Sequence, residues 1–147
     1  MPRETPDEPF EFQVAKDLLE SIPRLMARIR TEMRALAKPQ LTIPQLRILA
    51  KLNQSASSIS EMAEWQGVSA PAMSKMVGIL ESRGFARRMV QVKDRRTVQV
   101  SLTEDGRKTF LSIRKAVRGK MADRIRTLPA AKQQLISDAI KVLEQII

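Results

Sequence analysis

The chain has 147 residues, about one ordinary domain, and 43% of them are hydrophobic, so a real core can form. It contains no cysteine, histidine or tyrosine, which removes disulfides, thiol chemistry, the usual zinc ligands and the commonest general base. With scattered glycines, no phosphate-binding loop and a net charge of +10, the composition points away from an enzyme and towards a polyanionic partner.

Residues 1–9 hold three prolines and four charges without periodicity and read as a flexible arm. No stretch is apolar enough for a signal peptide or a membrane span, so the expected location is cytoplasmic, with no cofactor and no metal. From Phe10 to Ala37 the apolar positions Val14, Leu18, Ile22, Leu25, Ile29, Met33 and Leu36 recur at helical spacing. Pro23 interrupts this pattern, and Ser21 before it predicts a kink or a fresh start there.

Thr42 and Gln45 have capping-box spacing and open a second helix, which runs to about Asn53. Ser58 and Glu61 repeat the pattern and open a third, short helix that stops before Gly67. Ser69 caps a fourth, with Pro71 in its first turn and Gly84 at its end. Two alternating segments follow, Met89 to Val92 and Val98 to Leu102, and predict a hairpin. Thr103, with Glu104 and Asp105, starts a fifth helix whose seam is Phe110, Ile113, Val117, Met121, Ile125 and Leu128. Pro129 breaks it, and Leu135, Ile136, Ala139, Ile140, Leu143 and Ile147 mark a sixth.

The positive charge is not spread evenly. Residues 1–66 carry nine Lys/Arg against nine Asp/Glu, residues 67–127 carry fifteen against five, and residues 128–147 carry two of each. The whole excess lies in the segment containing the fourth helix and the hairpin, as a phosphate-binding surface requires.

Within "EMAEWQGVSAPAMSKMVGIL", Ala63 is small where two helices cross, Gly67 permits the turn, and Val68, Met73 and Met76 are expected inward. That spacing predicts a helix-turn-helix. It leaves Ser69, Ala70, Pro71, Ala72, Ser74 and Lys75 facing out near the helix N-terminus, where a recognition helix meets base edges. The lone Trp65 is expected in the core. Arg83, Arg87 and Arg88 are placed to meet phosphates, and Lys93, Asp94, Arg95 and Arg96 cluster at the hairpin tip.

The helix-turn-helix followed by "ESRGFARR", a hairpin with "DRR" at its tip, "VSLTEDG" and a long helix resembles the winged-helix regulators of the MarR family. The stretch "MVQVK" lacks the Asp-Pro turn common before the tip aspartate. The resemblance implies a mainly α, winged helix-turn-helix fold. A DNA-binding lobe would span about 42–102, and dimerisation helices about 10–37 and 103–147. It also implies a homodimeric regulator of double-stranded DNA, a repressor on a pseudo-palindromic operator, released by a small aromatic effector. The tip arginine would enter a minor groove, where negative potential is concentrated. Arg96 is the first choice for insertion, and Asp94 positions the tip. The alternative is a winged-helix module whose basic face meets an acidic protein.

Overall fold

The computed structural model describes residues 8–37, 41–90 and 98–147. Among them the chain forms helix α1 (Phe10–Ala37), α2 (Ile43–Gln54), strand β1 (Ser57–Ser58), α3 (Ile59–Gln66), α4 (Ala70–Ser82), β2 (Ala86–Val90), β3 (Val98–Leu102), α5 (Glu104–Arg126) and α6 (Ala130–Leu143). The predicted order of four helices, a hairpin and two helices is present. One element is additional: β1 pairs antiparallel with β3, Ser57 opposite Val100, giving a three-stranded sheet in the order β1-β3-β2.

The helix starts follow the local chemistry. Thr42 Oγ1 accepts from the Gln45 N–H while Gln45 Oε1 accepts from the Thr42 N–H, so two otherwise orphaned donors at the start of α2 are satisfied reciprocally. Helix α1 departs from expectation, because it runs unbroken through Pro23 with no restart at Ser21. Proline costs the Leu19 carbonyl its helical donor, but Leu19 and Pro23 both lie on the exposed side, where water reaches that group. In the same turn the Arg24 side chain donates to the Glu20 carbonyl at 2.9 Å.

The core gathers α2, α3, α4, the sheet and the first half of α5. Leu46, Ile48 and Leu49 meet Met62, Met73, Val77, Leu80 and Val100, all fully enclosed, with Phe110 and Ile113 closing one side. In the sheet, β2 pairs with β3 from Ala86 opposite Leu102 to Val90 opposite Val98, so the strand starts three residues earlier than the alternation at Met89 suggested.

The junction between the end of α4 and the start of α5 is tight. The Phe85 carbonyl accepts from the Thr103 N–H at 3.1 Å, Thr103 Oγ1 donates to the Gly84 carbonyl, and the Gly106 N–H donates back to Thr103 Oγ1 at 3.0 Å. A β-carbon at position 106 would collide with the Phe85 carbonyl, so only glycine lets α5 sit this close.

The outer helices are different. The seam of α5 fades from buried Phe110 and Ile113 to half-buried Val117, Met121 and Ile125. Helix α6 has no buried residue, and α1 leaves Phe10, Val14, Ile22 and Leu25 open.

Candidate nucleic-acid interface

The turn between α3 and α4 is built by backbone geometry. Ser58 and Glu61 form the second capping box, with the Ser58 N–H donating to the Glu61 carboxylate at 2.7 Å. That bond and then the Ser58 hydroxyl hold the Glu61 carboxyl below its ordinary value against a smaller desolvation effect, with the Lys51 charge adding least. Ala63 is buried where α3 meets its neighbours. Helix α3 ends on Gly67 at φ 71°, ψ 39°, the left-handed conformation that a β-carbon disfavours. Ser69 then caps α4 by accepting from the Ala72 N–H at 3.3 Å.

Helix α4 is sharply two-faced. Met73, Val77 and Leu80, spaced four and three residues apart, are fully buried, while Ser69, Ala70, Pro71, Ala72 and Lys75 are exposed and Ser74 is half-buried. Two inward assignments need correcting. Val68 lies in the turn and is 36% exposed, and Met76 only packs against the edge of the core. The cause is rotational register: a stripe set by Met73 continues at Val77, which leaves Met76 on its flank.

Alongside this face lies the first wing strand. Arg87 is exposed and its Nε donates to Ser101 Oγ at 3.3 Å, and exposed Arg83 sits at the C-cap of α4. Arg88 is engaged inward: its guanidinium pairs with Glu81 at 3.1 Å and donates to the Ser74 carbonyl and hydroxyl. The sequence reading missed Glu81; its signal was an acidic residue within a strongly basic segment. Lys93, Asp94, Arg95 and Arg96 lie outside the described residues. Trp65 is not core, being 44% exposed, with the Arg47 guanidinium 5.1 Å and the Lys51 ammonium 6.0 Å from its ring centre.

A cavity of about 390 Å³ opens where α1, α2 and α5 meet. Met33, Leu46, Phe110 and Ile113 give it apolar walls, and Asn53 and Arg114 give it polar ones. It sits between the helix-turn-helix lobe and the outer helices.

A helix-turn-helix with an outward polar face, flanked by a basic hairpin, defines a winged-helix DNA-binding protein. The MarR family profile matches residues 41–98. The transcriptional repressor MdtR of Bacillus subtilis is 34% identical over 110 residues, 71% of each chain. The chain belongs to the MarR family of DNA-binding transcription regulators, which are not enzymes. Among solved structures, Mycobacterium tuberculosis Rv2887 in complex with p-aminosalicylic acid is 28% identical, with a TM-score of 0.67 over 86% of this chain and 98% of that one. The repressor CouR bound to a 23-mer DNA duplex is 25% identical, with a TM-score of 0.66 over 95% and 99%. No helix among the described residues is long and apolar enough to cross a membrane.

Proposed function

We propose that the protein is a homodimeric repressor that reads a pseudo-palindromic duplex through the N-terminal face of α4 and grips it with the wing. The observation that carries this reading is the short-chained polar face of α4, with Ser69 to Ala72 and Lys75 exposed and Ser74 half-buried, standing on a fully buried stripe. Small side chains let the helix approach base edges, and Lys75, Arg83 and Arg87 supply charge for the flanking phosphates. Arg96 enters the minor groove and Asp94 holds the tip. One such helix reads too few base pairs for specificity in a genome, so two copies are needed. The apolar faces of α1 and α6 form the dimerisation region, and they set two lobes roughly 34 to 36 Å apart on the duplex.

The cavity beside Phe110 is the proposed effector site. Apolar walls with the Arg114 cation at the edge suit a small aromatic acid, the class of ligand bound by the Mycobacterium tuberculosis relative. The deciding experiment is a gel shift of the full-length protein on duplex from its own promoter region against random duplex, over a salt series. Preference for the promoter duplex that is relieved by p-aminosalicylic acid supports the whole reading. Equal binding to both duplexes removes sequence-specific regulation, and tight binding to an acidic protein instead would favour the interaction-module alternative.

A further inference from the structure

The guanidinium of Arg88 on β2 is turned back onto α4. One terminal nitrogen pairs with a Glu81 carboxylate oxygen at 3.1 Å, and the other donates to the Ser74 carbonyl and hydroxyl at 3.1 and 3.0 Å. The Arg88 backbone N–H donates to the remaining Glu81 oxygen at 3.0 Å. Ser74 and Glu81 stand two helical turns apart, so a single residue of the wing grips about 10 Å of the recognition helix, at 1.5 Å per residue. Guanidinium suits this task, because its donors form a rigid fork and its charge cannot be lost.

By charge alone an arginine at this place would be a phosphate contact. Here its charge is opposed by Glu81 and both of its terminal nitrogens are engaged on α4. We propose that Arg88 is a positioning and specificity-determining residue, which clamps the wing to the recognition helix and aims the Ser74 hydroxyl at the DNA. This rests on the reading that α4 and the wing bind duplex DNA. Arg88 donates into one of the two lone pairs of Ser74 Oγ, which polarises the hydroxyl and makes it a better donor. The matching group on a base edge is an acceptor: a purine N7, guanine O6 or thymine O4. The clamp also fixes the angle between wing and helix before binding, so less ordering is required when DNA arrives.

The test uses the full-length protein, a duplex that it enriches from a randomised pool, and a random duplex of the same length. Arg88→Ala is expected to lose about tenfold in affinity for the enriched duplex and little for the random one, with the salt dependence unchanged. A phosphate contact would instead weaken both alike and lower the slope of log affinity against log salt by about one, which would overturn the proposal. Arg88→Lys keeps the charge without the fork and is expected to fall almost as far; full binding by that variant also overturns it. Glu81→Gln removes a negative charge beside the DNA, so plain electrostatics calls for tighter binding, whereas the clamp requires weaker binding to the enriched duplex. Tighter binding sinks the clamp. Ser74→Ala and Arg88→Lys are expected to enrich duplexes that have lost preference at the same base pair. Arg88→Lys and Glu81→Gln keep the test decisive if thermal melting shows that Arg88→Ala does not fold. Failure of the wild-type protein to enrich any duplex overturns the DNA reading itself, and the clamp with it.

Discussion

Helices α4 and α6 are nearly equal in length, 13 and 14 residues, and both carry apolar residues at three- and four-residue spacing. Helix α4 encloses Met73, Val77 and Leu80 completely, whereas α6 encloses nothing and leaves Leu135 and Ile140 at 68% and 52% exposure. An amphipathic pattern therefore says that a face is to be covered, not what covers it. The face of α4 is completed by α2, α3 and the sheet within the same chain. The face of α6 is left open by the described residues of this chain, and in the proposed homodimer a second copy would cover it by isologous pairing.

Four experiments act on this contrast. The largest effect is expected from Val77→Asp, which places an unpaired charge in a closed core and should cost roughly 4 kcal/mol or more, enough to unfold the lobe. Met76→Asp on the flank of the same stripe should cost clearly less, and equal losses in thermal melting would show that the register of α4 is misplaced. Next comes Ile140→Asp, or removal of the chain from Leu135 onward. Either should split the dimer in sedimentation and abolish specific binding, while the lobe stays folded and retains weak, salt-sensitive association. A dimer that persists with full affinity contradicts the role given to α6.

Arg96→Ala is expected to be smaller again, weakening specific binding by roughly 1 to 3 kcal/mol with folding and dimerisation intact. Unchanged affinity would remove the wing tip from the interface. The smallest effect concerns Glu61, whose carboxyl is held low by the Ser58 N–H. A lowered folded value means stabilisation that is present above the unfolded value and disappears as the pH falls through the folded one. Glu61→Gln should thus flatten the acid side of the stability–pH curve slightly, and an identical curve would show that the capping carboxylate carries no linkage.

Signals written within a few residues were legible. Both capping boxes, the left-handed Gly67 and the Ser69 cap depend on spacings of three or four residues, and the structure holds each of them. Strand β1 was not legible, since Ser57 and Ser58 become a strand only by pairing with Val100 and Gln99, far along the chain. Trp65 misled for a similar reason: its cationic partners, Arg47 and Lys51, come from another helix. The recognition face was visible as a run of short side chains, but the inward turn of Arg88 depended on Ser74 and Glu81 together. Charge counting treats every arginine near a binding face as available, and only geometry separates those already engaged.

The glycine at 106 also has a mechanical meaning. Helix α5, with 23 residues, rises about 34 Å at 1.5 Å per residue, and its far end is tied to α1 through Arg124 and Glu32 at 2.8 Å. Its near end rests on the Phe85 carbonyl with no clearance, directly below the exit of α4. On such a lever, a rotation of about 5° about Arg124 would displace the Gly106 end, about 27 Å away at 1.5 Å per residue, by roughly 2.4 Å. That is about two thirds of the roughly 3.4 Å rise from one base pair to the next, so a few degrees in α5 would be enough to disturb the fit of α4 on a duplex.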